Sequence, residues 1–292
     1  MRRLRKTKSS LRTHEGGNGE TIVPDRKVAI VTGASSGIGR HTAVALAGRG
    51  YLVYAAARKA DLLREVADAC RQAGGEGRTV ATDVADPAQV ELLVQTAVGE
   101  AGRIDVMVNN AGFGVHARVA ETSAEQMRRI FDVNFFGVFH GCKAVAPVMI
   151  AQRSGHIFNV SSVIGKRGTP FNGAYCATKF AVCGLTDSLR VEMIPHNVKV
   201  TCVCPGLTDT DFFDKVEGGS RRKKTSFASL RTMQPPAHVA RKIVAAIGKD
   251  IPEMVFTPGG KLLVLVSALW PRLADMMMKV YHDDVSGPVQ TF

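Results

Sequence analysis

Short apolar runs and amphipathic stretches alternate along this chain almost without interruption. Lys27–Thr32 (KVAIVT) is a compact apolar run that stops at a glycine, as expected of a strand buried on both faces. A helical pattern follows to Arg49, then a strand at Tyr51–Ala57, then apolar positions at helical spacing over 61–74. Arg78–Thr82 returns to strand, Asp86-Pro87 is a helix start signal, and Val106–Asn109 is strand again. Thr122-x-x-Glu125 predicts a capping box opening a long helix towards Arg153. A strand at His156–Ser161, a helix ending at Pro195 and a strand at Lys199–Val203 complete the regular alternation. The pattern then lapses over 207–235, resumes as helix over 236–250 and strand at Glu253–Phe256, and ends in an apolar helical stretch, Gly260–Tyr281. Regular alternation of this kind predicts an α/β chain, a doubly wound parallel sheet with helices on both faces.

No repeat or Pro-rich linker divides the pattern, so one domain is expected over 26–258, preceded by a flexible basic tail (1–25) and followed by an apolar segment (259–292). The irregular stretch 207–235 reads as a lid over a site, since long structureless loops in compact domains usually bind something. With 292 residues, 45% hydrophobic and 22% charged, the chain is long enough to bury a sizeable core.

The net charge of +12 changes the picture less than it first suggests. Residues 1–12 carry six cations and no acid, and Arg221, Arg222, Lys223 and Lys224 add four, so the folded body is near neutral. Neither stretch interleaves aromatics with its cations, as stacking on single strands requires, and no nucleic-acid partner is expected. No apolar core follows the basic start, so no secretory signal is expected, and no uninterrupted apolar run approaches the roughly 18–20 residues of a bilayer span. These features predict a cytoplasmic protein. Its six cysteines lack framework spacing, and Cys202-Val203-Cys204 alone is a poor zinc signature; buried free thiols and no metal are expected.

The chemistry concentrates at strand ends. Thr32–Gly39 (TGASSGIG) falls where the first strand meets the first helix. Gly33, Gly37 and Gly39 permit a tight turn around Ser35, Ser36 and Ile38, letting a pyrophosphate approach the helix N-terminus, where free N–H groups favour anions. In this context the turn predicts a Rossmann-type dinucleotide site. The second strand ends Ala56-Ala57-Arg58-Lys59, with no carboxylate for a ribose 2′-hydroxyl and two cations for a 2′-phosphate, so NADP(H) is expected, with Arg58 as the phosphate contact. Tyr175 and Lys179 stand one helical turn apart, about 5–6 Å between Cβ atoms. A nearby ammonium favours the phenolate, so this pairing is expected to pull the phenol's pKa down from 10 towards neutrality.

With the glycine turn, Asn109–Gly112 (NNAG), Ser161-Ser162, Tyr175-x-x-x-Lys179 and Pro205-Gly206, the chain resembles the short-chain dehydrogenase/reductase superfamily. The resemblance runs in order and spacing from about Lys27 to Gly206. It implies that Tyr175 is the general acid/base, that Lys179 tunes it and binds the nicotinamide ribose, and that Ser162 donates to the substrate carbonyl. It further implies that Asn134 holds a relay water, that Asp83 and Val84 meet the adenine, that Asn110, Ala111 and Gly112 wall the adenosine, and that Pro205, Gly206 and Thr208 meet the nicotinamide end. The activity implied is hydride transfer between NADP(H) and a carbonyl or secondary alcohol. The alternatives are the oxidative direction on a hydroxylated lipid or steroid and a non-catalytic NADP sensor. Long helices over 122–153 and 172–194 are expected to pair in a homodimer or homotetramer.

Phe113, Phe171, Leu207, Phe212 and Phe213 are the residues expected to face substrate, and they favour a hydrophobic one. In 261–281, Leu262, Leu263, Val266, Leu269 and Trp270 are expected on one helical face, continued by Leu273, Met276 and Met277 beyond Pro271. That face is expected to fold back near the lid and wall an apolar pocket. Lys261, Arg272 and Lys279 beside it leave a peripheral membrane contact open.

Overall fold

The structure, a computed structural model, describes residues 26–212, 216–217 and 233–286. Seven strands form one sheet: β1 (Val28–Thr32), β2 (Leu52–Ala57), β3 (Glu76–Ala81), β4 (Val106–Asn109), β5 (Gly155–Val160), β6 (Val198–Cys204) and β7 (Glu253–Val255). They pair in parallel in the order β3-β2-β1-β4-β5-β6-β7. Because the central strands are buried on both sides, they read as unbroken apolar runs rather than alternating ones.

Two cores follow from the two faces. Helices α1 (Gly37–Ala47) and α2 (Ala60–Gln72) and, late in the chain, Pro236–Ala246 bury Leu46, Val66 and Ile243 on one side. Helices α3 (Pro87–Ala101), α5 (Gly137–Gln152) and α6 (Gly173–Met193) bury Leu93, Val145 and Val182 on the other. In chain order α4 is Ala124–Phe131, α7 is Pro236–Ala246, and two further helices close the described chain, α8 (Pro258–Leu269) and α9 (Pro271–Ser286). The run from Ala124 to Gln152 is long and apolar enough by composition to cross a bilayer, yet its α5 part packs into the second core.

The capping box lies one residue later than expected. Ser123 Oγ accepts from Gln126 N at 3.1 Å, and the Gln126 side chain accepts from Ser123 N at 3.0 Å. Thr122 instead donates its hydroxyl to Arg118 O at 3.0 Å, which ties the side chain into the preceding turn. Helix α7 stops at Ala246, short of the expected 250, where Gly248 turns with φ +79°. The exposed Phe136, Phe139 and Phe180 lie just before or within α5 and α6, the helices expected to pair between subunits. Residues 1–25, the basic run 221–224, Phe213 and most of the expected lid lie outside the described residues.

One buried histidine ties β5 to β6 and to the turn after α7. His156 stacks on Phe158, its Nδ1 accepts from Gly248 N at 3.1 Å, and its Nε2 donates to Thr201 Oγ1 at 2.8 Å. That tautomer follows because Thr201 already gives its own proton to Ile251 O. Burial, with Lys199 adding, lowers the His156 pKa to about 3. The unfolded chain binds a proton near pH 6.5 that the folded chain refuses until about pH 3. Stability is therefore fully present above about 6.5 and lost as pH falls through that window, by an amount on the order of 4 kcal/mol. We predict that His156→Gln lowers the melting temperature at pH 7 but flattens its decline between pH 6.5 and 4. A variant with the same acid slope as the parent would contradict this.

Candidate active site

The strand order reverses between β1 and β4, and at that switch point the carboxyl ends of neighbouring strands part to leave a crevice. The glycine turn, Arg58, Asp83, Asn110 to Gly112, Ser162 and Pro205 to Thr208 lie at those carboxyl ends or just beyond them, while Tyr175 and Lys179 stand in α6 and Asn134 in the turn before α5. Gly33 and Gly37 hold φ of +63° and +55°, which L side chains rarely adopt. A Cβ on Gly39 would meet Gly33 O at 2.3 Å, so the third glycine is required by close approach. Helix α1 begins directly after this turn with no acidic side chain in its first turn, which leaves its N-terminal field open to an anion.

Thr32 joins this turn to the next strand. Its Oγ1 accepts from Asn110 N at 3.0 Å and Ala111 N at 3.2 Å, and Asn110 Nδ2 donates back to Thr32 O and Gly33 O. The NNAG segment is thereby locked against the glycine turn. A Cβ on Gly33 would meet Ala111 Cα at 2.7 Å. Asp83 follows β3 with one carboxylate oxygen on Ala85 N, and Val84 is buried beneath it against Gly137. Arg58 is exposed just past β2, with no ion pair among the described residues.

Ser162, Tyr175, Lys179 and Asn134 converge beside this cradle. Ser162 follows β5, where its hydroxyl donates to Pro205 O at 3.4 Å and stands close enough to Tyr175 to favour the ionised phenol. Asn134 projects from a π-helical turn, Asp132–Phe136, between α4 and α5. Such turns often re-aim a side chain at functional sites. Fully buried, Asn134 is held by both faces of its amide: Oδ1 accepts from Phe113 N at 3.0 Å and Nδ2 donates to Phe113 O at 2.9 Å. A Cβ on Gly112 would come within 3.0 Å of Asn134 Oδ1 and 3.7 Å of Lys179 Nζ, so glycine there keeps that polar space clear. The glycine cradle, open helix terminus and clear space over Gly112 together fit a dinucleotide.

The electrostatics of the pair differ from the expected arrangement. Lys179 Nζ donates to Val160 O at 2.8 Å and stands 5.5 Å from the centre of the Tyr175 ring. Burial lowers the Lys179 pKa to about 8, against the opposing influence of the thiols of Cys183, Cys202 and Cys204. Burial also pushes the Tyr175 phenol up, with Cys176 adding and the Ser162 hydroxyl opposing. The expected depression of the phenol is absent in the protein alone, because the phenol's own desolvation dominates.

Ring contacts close the site from above. Phe212 packs on Tyr175 at 5.3 Å between centroids, and Phe113 joins the same apolar cluster. Phe171 adopts φ +64° and lies between the rings of His116 and His282. The expected lid is stitched at its base, where Thr208 and Gln234 form a bridge, and it comes down again where Glu217 pairs with Val115. Leu207 O accepts from Gln234 N in that stitch. Thr208 Oγ1 donates to Gly206 O at 3.0 Å, while Thr210, two residues on, places its methyl 3.1 Å from where a Cβ of Gly37 would stand. Thr210 was not singled out from sequence; its signal was its place in the polar run after Pro205-Gly206. Thr32 was also missed as a hub, though it opens the glycine motif. The thiols of Cys183, Cys202 and Cys204 lie buried within 4.8 Å of one another behind Lys179, a grouping the C-x-C pair alone did not reveal.

The sequence profile of the short chain dehydrogenases matches residues 27–220. The chain belongs to the short-chain dehydrogenase family. Among these dehydrogenases it is 33% identical to an uncharacterized oxidoreductase of Bacillus subtilis, over 88% of this chain and 73% of that one. It is 38% identical to a 3-ketodihydrosphingosine reductase of Bacteroides thetaiotaomicron, over 64% of this chain and 66% of that one. A short chain dehydrogenase from Burkholderia phymatum, solved in complex with NAD, superposes with a TM-score of 0.77 at 29% identity, covering 86% of this chain and 95% of its own. An alcohol dehydrogenase from Thermococcus sibiricus, solved with 5-hydroxy-NADP, gives a TM-score of 0.70 at 29% identity, covering 80% and 96%. The chain is thus an oxidoreductase with a nucleotide-binding Rossmann fold.

Proposed function

We propose that this short-chain dehydrogenase reduces the carbonyl of a hydrophobic ketone or aldehyde with NADPH. The observation that carries the reading is the convergence of Ser162, Tyr175, Lys179 and Asn134 beside the glycine cradle. The cofactor supplies the hydride. Ser162 donates a hydrogen bond to the carbonyl oxygen and Tyr175 delivers the proton that oxygen needs, so the carbonyl gains one hydride and one proton. A phenol pushed up by burial is held in its protonated form at neutral pH, the form that reduction requires and oxidation does not. Lys179 and Asn134 border the polar space from which the proton of Tyr175 is replenished. Phe113 and Phe212, packed on Tyr175, favour an apolar substrate, and the relation to a 3-ketodihydrosphingosine reductase supports a long-chain one.

Arg58 is the residue proposed to select NADPH, through its exposed guanidinium at the end of β2 where no carboxylate stands. The double variant Ala57→Asp, Arg58→Ile is expected to weaken NADPH binding about ten- to a hundredfold, the loss of one charge-assisted contact, and to improve NADH binding. Titration of parent and variant with each cofactor by fluorescence checks this. A parent that binds NADH as tightly as NADPH contradicts the assignment.

A further inference from the structure

Helices α8 and α9 bury one face and expose another. Leu263 and Met278 pack with Val163, Val266 and Ala274 are also buried, Arg167 pairs with Asp275, and His282 stacks on Phe171. The two helices therefore clamp the segment between Ser162 and Tyr175. The face expected from sequence divides in two, because Leu262, Leu269, Trp270, Leu273 and Met276 turn away from the body.

The outward face repeats a pattern. In α8 the order is Lys261, Leu262, Leu265, Leu269; in α9 it is Arg272, Leu273, Met276, Val280. Positions i, i+3 and i+7 share a helical face, so each helix presents three apolar side chains with a cation immediately before the first. Trp270 lies at the break between them. These six apolar residues and Trp270 are 43% to 62% exposed. Lys279 adds a third cation, while Asp275 and Asp283 are engaged by Arg167 and His282. An apolar face on each helix, edged by cations and with an indole at the break between them, matches helices lying in a lipid interface. Neither helix crosses a bilayer: α8 has 12 residues, Pro271 follows, and the opposite face is buried in the protein.

We infer that α8 and α9 dock this protein on an anionic bilayer surface, with the segment between Ser162 and Tyr175 held just behind the contact. The inference does not depend on the proposed reaction, because binding is read without turnover. Trp270 is the chain's single tryptophan and so reports on this face alone. Full-length protein is mixed with vesicles of equal phosphatidylcholine and phosphatidylglycerol, and emission and co-sedimentation are followed. Expected are a blue shift of Trp270, binding weakened by salt, and binding at least about tenfold weaker for Leu265→Glu, Met276→Glu. Both positions are exposed, so circular dichroism and melting temperature should match the parent. Absence of a blue shift overturns the inference. So does equal sedimentation of parent and variant, which would assign the binding to the basic N-terminal residues. So does light scattering in which the variant alone falls apart to a smaller species, which would give the face to a second copy.

Discussion

Tyr175→Phe is expected to lower kcat by about 10²–10⁴-fold while leaving fold and NADPH affinity near the parent's. The substitution removes one oxygen and leaves the ring, whose contact with Phe212 and place in the cluster with Phe113 and Val115 are apolar. Little packing is lost, so a change in melting temperature of more than a few degrees is not expected. What is lost, on the proposed mechanism, is the proton donor to the carbonyl oxygen, and neither of the neighbouring polar side chains can replace it. Lys179 is turned onto Val160 O, and the hydroxyl of Ser162 can donate a hydrogen bond but is too weak an acid to give its proton up. Steady-state rates with cofactor titration in parallel separate the two effects. A variant retaining more than about a tenth of parental kcat would remove Tyr175 from the acid role.

Ser162→Ala is expected to cost about 10²–10³-fold in kcat, the usual consequence of deleting one preorganised donor to a developing oxyanion. The hydroxyl is placed by Pro205 O and Ile164 N beside Tyr175, and rotation about its Cβ–Oγ bond suffices to turn its one proton from Pro205 O to the carbonyl oxygen. Deletion leaves Pro205 O still accepting from Val163 N, while Ile164 N loses the long contact it makes to the hydroxyl. The profile of kcat against pH distinguishes this role from that of Tyr175: removal of Ser162 takes away a hydroxyl that opposes the raised phenol, and so shifts the alkaline limb upward. An unshifted limb together with an unchanged kcat would contradict both halves of the argument.

Much of the fold was legible because buried parallel strands and amphipathic helices leave opposite signatures in sequence. The runs at 28–32, 106–109 and 198–204 stand out for the same reason that they are inaccessible. The glycine turn and the Tyr175–Lys179 spacing were likewise local, so the turn's place at the end of β1 and the pair's place on one helix followed from the alternation. What escaped was set by tertiary contact. Ser123 rather than Thr122 caps α4 because Thr122 is drawn into the preceding turn. Thr210 gained its position only when the chain after β6 folded over Gly37. The titration of the pair was misjudged because spacing gives proximity but not the direction of an ammonium, and Lys179 satisfies a backbone carbonyl within a dry interior. On α8 and α9, periodicity showed that an apolar face exists but not that two faces share the work, one against the body and one outward.

The central claim, NADPH-dependent reduction of a hydrophobic carbonyl at Tyr175, is tested most directly by kcat/KM for a series of methyl ketones of rising chain length. Each added methylene buried against Phe113 and Phe212 is worth about 0.8 kcal/mol, so kcat/KM should rise roughly three- to fourfold per carbon until the pocket is filled. The same series with NADH should run well below it. Absence of carbonyl-dependent NADPH oxidation across the whole series, or a kcat/KM that falls as the chain grows, would contradict the account.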